Sequence, residues 1–473
     1  MLTLQGNVRG ASVCEYLCEG MRKDTDKINA ENRYPNQDFT VVELLQSCAK
    51  KKDVCRGTRI HVEVLKRGLL EKSPYIATTL IHMYVKCGLF SKAKQVFEEL
   101  STRDVAPWTS LIGGYVQDGQ SHEAIDCFYR MQSEGLYPNE VTFICILKAC
   151  GSVQSMDNGK RVHDAIVSRG LLEKNAMLGN ALVHMYAKCG DFVHAYQVLR
   201  DLPSRDEVSW SILILGYVQE GLWHEALHCH AHMQRDGFFP NVVTFVYLLK
   251  ACGRIGAIEE GQRIHNEITA RRLLDTNIVL GNALLDMYPK CGELTKVQEV
   301  FNKLPVRDIM SWNALLIGYG NVGESKSVSY IFSKLICEYM KPCAITLLSL
   351  LNVCNHGGLL HDGLIYFEML GNDYNLDITI DHYACIADLF ARAGYIYIAI
   401  DIVENMPLHP DIAMWHMLLA ACWRVSDVEL GREVFGHVIE LDEEDISSYV
   451  CLSNMYADVA MQEEANKISF LRV

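Results

Sequence analysis

Two tripeptides in this 473-residue chain, His61-Val62-Glu63 and His265-Asn266-Glu267, have the H-x-E form by which zinc deaminases hold a metal and move a proton. That chemistry needs further ligands, in such sites a distant C-x-x-C. The chain has 18 cysteines, and no two of them stand in C-x-x-C spacing. A third copy of the same spot reads His163-Asp164-Ala165, which drops the acid. The three histidines are 102 residues apart, so they are read as repeat residues and not as ligands. No Walker-type or G-x-G-x-x-G loop follows a predicted strand, and no strand is predicted. The sequence is therefore read as that of a non-enzyme, with no metal and no cofactor.

Composition agrees with a folded chain. Hydrophobic residues make up 49 % and charged residues 22 %, without a low-complexity tract. The longest uncharged run, Pro342 to His361, contains Asn352, Asn355, His356, Gly357 and Gly358, which a lipid-facing helix would not carry. No membrane segment is expected. The net charge is −14, which opposes contact with phosphate. It is unevenly spread: residues 401–473 hold 14 Asp/Glu against 4 Lys/Arg, a net −10, and residues 1–400 carry the remaining −4. The start, MLTLQGNVRGASVC, leaves a transit peptide and a plain unstructured end both open, because Glu15 and Glu19 follow at once. Residues 1–37 are expected to be poorly structured.

The repeat decides the fold class. TTLIHMYVKCGLFSKA at 78–93, NALVHMYAKCGDFVHA at 180–195 and NALLDMYPKCGELTKV at 282–297 are 102 residues apart, as are Trp108, Trp210 and Trp312, and Cys48, Cys150, Cys252 and Cys354. Each period divides into units of about 36, 31 and 35 residues, such as 140–175, 176–206 and 207–241. Within 207–241, Trp210, Leu213, Ile214 and Tyr217 form a helical stripe, Gly221 ends that helix, and Pro240 closes the unit after a second one. The same glycine recurs as Gly88, Gly119, Gly190, Gly292 and Gly323, and the same proline as Pro138 and Pro342. A lone hairpin cannot bury both faces, whereas stacked copies can. The expected fold is all-α, an α-α superhelix of hairpins. Eleven units fit between 38 and 411. Met185, Tyr186 and Cys189 read as packing residues, and Cys87, Cys189 and Cys291 are expected to bind no metal.

The tetratricopeptide pattern W-x₂-L-G-x₂-Y is absent. SWSILILGYVQEG, VTFVYLLKACGRIGAIEEGQRIH and LGNALLDMYPKCG closely resemble the P, L and S motifs of plant pentatricopeptide repeat proteins, and their alternation resembles the PLS subclass. The segment 381–411 resembles its last S-type repeat, and 414–445 with 447–468 resembles its E-type extension, so 412–473 is expected to be a truncated extension. The chain ends where many relatives continue into a deaminase domain. Three departures stand out. Pro289 takes the place of Val85 and Ala187, where a bend is expected. Met340 is expected to replace the glycine that ends P-type units. Phe367 replaces the recurring histidine.

The resemblance implies which side chains meet RNA: the fifth and the last residue of each unit. These are Thr78 with Asp104, Thr109 with Asn139, Asn180 with Asp206, Ser211 with Asn241, Asn282 with Asp308, and Asn313 with the poor reader Cys343. Each pair would hydrogen-bond one base edge while apolar side chains of adjacent units flank the base. In the L units the fifth position is apolar: Val42, Ile144 and Val246. Helix capping is the competing explanation for these polar residues. A cap, however, has no reason to skip every third unit. The family's pairing scheme reads Thr with Asp as G, Thr or Ser with Asn as A, and Asn with Asp as U, which gives 5′-G-A-x-U-A-x-U-Y-3′. The implied function is sequence-specific binding of single-stranded RNA in a mitochondrion or plastid, specifying C-to-U editing sites. A deaminase from another chain would be recruited through 412–473. RNA stabilisation, splicing or translation, and a protein-interaction scaffold of the tetratricopeptide kind, are the alternatives.

Overall fold

The computed structural model describes residues 36–471 apart from 174, 204 and 375, so the segment 1–35 lies outside the described residues. The first described helix, Asn36–Lys51, takes in residues 36 and 37 of the segment expected to be poorly structured. From there the described chain is a series of thirteen helical hairpins with no strand, interrupted by the short helix Leu69–Lys72 and a 3-10 turn at Leu273–Asp275.

Two compact units divide between Thr244 and Phe245. In the first, the helices Asn36–Lys51, Pro74–Lys86, Val105–Gln117, Glu140–Ser152, Ala176–Lys188 and Glu207–Gln219 pack side by side in chain order. In the second, Ile278–Lys290, Ile309–Asn321, Ala344–Gly357, Ile380–Arg392, Ile412–Val425 and Ile446–Asp458 do the same. Inside each series a first helix has neighbours on both flanks and a second helix behind, and is buried almost all round: Pro74–Lys86 buries nine of its residues, whereas its partner Phe90–Glu98 buries only Ala93, Val96 and Phe97. That contrast is the solenoid pattern of an inner helix and a one-faced outer helix.

The repeated residues are the joints. Trp108, Trp210 and Trp312 are each at most 1 % exposed. The glycines after the first helices lie in the left-handed region, as Gly190 at φ 77° and Gly221 at φ 74° illustrate, where a side chain would be strained. His61, His163 and His265 each hydrogen-bond a tyrosine hydroxyl of the next hairpin, Tyr84, Tyr186 and Tyr288, at 2.8, 2.9 and 2.6 Å. The fourth copy replaces both partners: Phe367 and Phe390 pack against the same apolar cluster. A hydrogen-bonded pair has become an apolar one, so neither polar group is stranded. The cysteines Cys189 and Cys291 bond weakly through Sγ to the carbonyls of Cys150 and Cys252. Burial pushes the Cys150 and Cys252 thiols up to about 12, which keeps them protonated. Among the described residues no group of three His, Cys, Asp or Glu is placed to hold a metal, and no helix is long and apolar enough to cross a membrane.

At Pro289 the helix Ile278–Lys290 continues without a break. The ring occupies the site of Val85 and Ala187, against Gly318 as those side chains lie against Gly114 and Gly216. One expectation is corrected: the glycine missing from the third P unit is replaced by Tyr339, not Met340. Gly135, Gly237 and Tyr339 are 102 apart and all lie at positive φ, 78°, 81° and 57°. A left-handed tyrosine costs about 1–2 kcal/mol, partly offset because glycine loses more entropy on folding. Tyr339→Gly is therefore expected to stabilise the protein by roughly 0.5–1 kcal/mol. Urea unfolding of the two forms checks it.

Candidate nucleic-acid interface

Each expected pair spans one loop, from the first turn of one first helix to the residue that starts the next. The last residues are all helix starts. Asp104, Asp206 and Asp308 cap Val105–Gln117, Glu207–Gln219 and Ile309–Asn321. Asn139 caps Glu140–Ser152, and Asn241 accepts from the Thr244 N–H at the start of Val242–Ile255. Asn175, which closes an L unit, is a cap as well. Capping therefore does not skip the third unit, and the argument from skipping fails for the last position. It holds for the fifth position, where Thr78, Thr109 and Ser211 turn their hydroxyls to the carbonyl four residues back and cap nothing.

A cap uses only part of the side chain. Asp308 Oδ1 takes the N–H and hydroxyl of Ser311 and the Asn282 amide at 3.3 Å, and Oδ2 is left over. Asp206 Oδ1 takes the same set from Ser209 and Asn180, and the Asn180 amide also reaches Asp206 Oδ2 at 3.5 Å. Asn139 Oδ1 takes the N–H and hydroxyl of Thr142, both at 2.8 Å, which turns its Nδ2 away from the helix. An aspartate thus presents an acceptor and an asparagine a donor, each fixed in direction by the helix it starts. Burial alone would raise the Asp308 carboxyl. The hydrogen bonds from Ser311 and Asn282 outweigh it and hold the group below the ordinary carboxylate range.

The structure joins the pairs to different degrees. Asn180 meets Asp206, Asn282 meets Asp308, and Asn313 Nδ2 meets Cys343 Sγ at 3.5 Å. Thr109 reaches Asn139 through the Thr142 hydroxyl, and Ser211 reaches Asn241 through Thr244. Thr78 and Asp104 are not bridged in this way: Pro107, which has no hydroxyl, stands where the other units have Ser or Thr. Asn180, Ser211 and Asn282 are half-buried, and Thr78, Thr109 and Asn313 are buried. In the first two pairs the exposed member is thus the cap, Asp104 or Asn139. Asn241 Nδ2 also donates to Glu207 Oε1 at 3.2 Å.

Sequence reasoning missed the bridging residues Thr142, Ser209, Thr244, Ser311 and Thr346, all at most 2 % exposed. Their signal was present, since each stands three residues after a cap. Val208, Val243, Val279 and Met310, the second residues of their units, are apolar and each about half exposed.

Stacked α-hairpins, with a polar pair in the S and P units, define a modular helical-repeat protein. The sequence matches the PPR repeat family at residues 103–152 and 205–254, the PPR repeat at 75–105 and 180–206, and the E motif at 425–471. A mitochondrial pentatricopeptide repeat-containing protein of Arabidopsis thaliana is 34 % identical over 439 residues, 93 % of this chain and 63 % of that protein. Another from the same plant is 35 % identical over 435 residues, 91 % of this chain and 77 % of its own length. Among solved structures, the pentatricopeptide repeat protein PPR10 from maize superposes with a TM-score of 0.65 at 19 % identity, over 94 % of this chain and 69 % of that one. PPR10 in complex with an 18-nt psaJ RNA element gives 0.69 at 18 % identity, over 96 % and 71 %. The chain belongs to the pentatricopeptide repeat family and has its helical-repeat fold. It spans about 63 % of the length of the first of these relatives.

Proposed function

We propose that this chain binds single-stranded RNA in an organelle, one nucleotide per hairpin, with bases chosen by the fifth and last residues of the S and P units. The observation that carries this reading is the division of labour within last residues such as Asn139 and Asp308: one side-chain atom caps a helix and the other is left over with a defined donor or acceptor character. A scaffold for peptides needs no such alternation of Asp and Asn. The RNA held by PPR10 and the mitochondrial names of several relatives support the same reading. Lys86 and Lys188, 102 apart in the last turns of two S-unit helices, supply cations for phosphate despite the net charge of −14, whereas their counterpart Lys290 is paired with Asp286 at 2.5 Å. The E motif supports a role in specifying C-to-U editing sites, with the deaminase supplied by another chain that docks on the acidic 412–473 segment.

Two lysine–phosphate contacts predict a log–log salt slope of roughly −1.4, at about 0.7 per contact on a single strand. Gel shifts of single-stranded RNA across a salt series measure it. Binding that ignores salt, with peptide capture in its place, would favour the scaffold reading.

A further inference from the structure

The C-terminal extension repeats the reading geometry once more, with a histidine in it. Each tryptophan of the P units is followed by the fifth-position residue: Trp108 by Thr109, Trp210 by Ser211, Trp312 by Asn313. Trp415, 103 residues after Trp312 and 4 % exposed, is followed by His416. The hairpin it belongs to, Ile412–Val425 with Val428–Leu441, is followed by Asp445, which caps the next helix, Ile446–Asp458. His416 Nε2 lies 2.7 Å from Asp445 Oδ2, and the Ser448 N–H donates to that same oxygen at 3.0 Å. Ser448, the third residue of its helix, is fully buried like Ser209 and Ser311.

This arrangement matches Asn180 with Asp206 and Asn282 with Asp308. In all three, the fifth-position side chain and the N–H of the third helical residue converge on one carboxylate oxygen. That leaves Asp445 Oδ1 over, as Oδ2 is left over in Asp308. With an Nε2–H donated to Asp445, His416 Nδ1 is the second atom left over, on a side chain 36 % exposed. The two hairpins between, starting at Ala344 and Ile380, carry Leu348 and Ala384 at the fifth position, which cannot read an edge.

We infer that His416 and Asp445 form a further base-selective contact, to the nucleotide three positions 3′ of the one faced by Asn313 and Cys343. This rests on the RNA-binding reading above. It places one specificity-determining pair inside the segment whose net charge of −10 over 401–473 argues against contact with RNA. The charge acts on the backbone of the strand, whereas the pair acts on a single base edge, so the contact sharpens choice at that position without adding much affinity.

The test is selection of bound RNAs from a random pool by the full chain and by two variants, His416→Ala and His416→Asn. Position one is the nucleotide faced by Thr78 and Asp104, and His416 faces position eleven. The wild type should enrich one base there by about tenfold, the scale of a single well-made base contact. His416→Ala should flatten that position alone. His416→Asn, which recreates the Asn–Asp pair, should give it the base enriched at positions four and seven. Thermal melts of both variants establish that they fold. Selectivity at positions one to eight with position eleven flat, or unaltered in both folded variants, overturns the inference and leaves the RNA-binding reading standing. A pool flat at every position overturns both.

Discussion

Trp210→Ala is expected to cost about 3–5 kcal/mol of stability, the usual range for emptying a buried tryptophan site. Trp210 is 1 % exposed, its indole N–H has no hydrogen-bond partner, and Tyr196 meets it edge-on with ring centroids 6.3 Å apart. The loss is therefore one of packing and cavity, with no polar bond to reorganise. In a linear array each hairpin contacts only its neighbours, so the damage falls on the joint between 176–206 and 207–241. Trp423→Ala is the control. That side chain is 38 % exposed and its Nε1 bonds Asp458 at 2.7 Å, and its removal should cost no more than about 1.5 kcal/mol. Urea unfolding followed by circular dichroism measures both. Equal losses in the two variants would contradict the assignment of Trp210 as a joint.

The second large effect is on specificity. Asp206→Asn keeps an oxygen for the Ser209 N–H, so the cap survives, but the second atom, which lies 3.5 Å from Asn180 Nδ2, changes from an acceptor to a donor. The preferred fourth base should shift from U toward C, with a discrimination of about 1–3 kcal/mol, roughly tenfold to a hundredfold. Asp206→Ala should instead lose about 1 kcal/mol of stability with the cap and read no base at that position. Competition binding with RNAs that differ only at the fourth nucleotide separates the outcomes. An unchanged preference for Asp206→Asn would remove Asp206 from the reading set.

Much of this fold was legible because a repeat exposes its own constraints. A residue that returns every 102 positions does the same job each time, and the glycine turns, the tryptophans and the helical stripes all returned. What the repeat hid was geometry within one copy. The fifth and last residues could be named through the family resemblance, but which atom of each cap faces outward depends on bonds to Ser209, Thr142 or Ser311. No periodicity shows those bonds. The cap and the reader had looked like rival roles for one residue. They are compatible because a carboxylate or amide has two ends. Tyr339 was missed by one position because no glycine marked the turn, and only its positive φ reveals the register. The helix continues through Pro289 because the proline sits in its last turn, facing a glycine that leaves room for the ring. His416 escaped because it lies in a hairpin whose composition is acidic and whose tryptophan, Trp415, stands 103 residues after Trp312, not 102.

The central claim is that the Ser, Thr, Asn and Asp pairs choose bases, and selection of bound RNAs from a random pool by the wild-type chain tests it most directly. The predicted result is enrichment of 5′-G-A-x-U-A-x-U-Y-3′, with the positions opposite Ile144 and Val246 unselected. An enriched sequence unrelated to this string, or strong selection at the two positions faced by those apolar side chains, would contradict it.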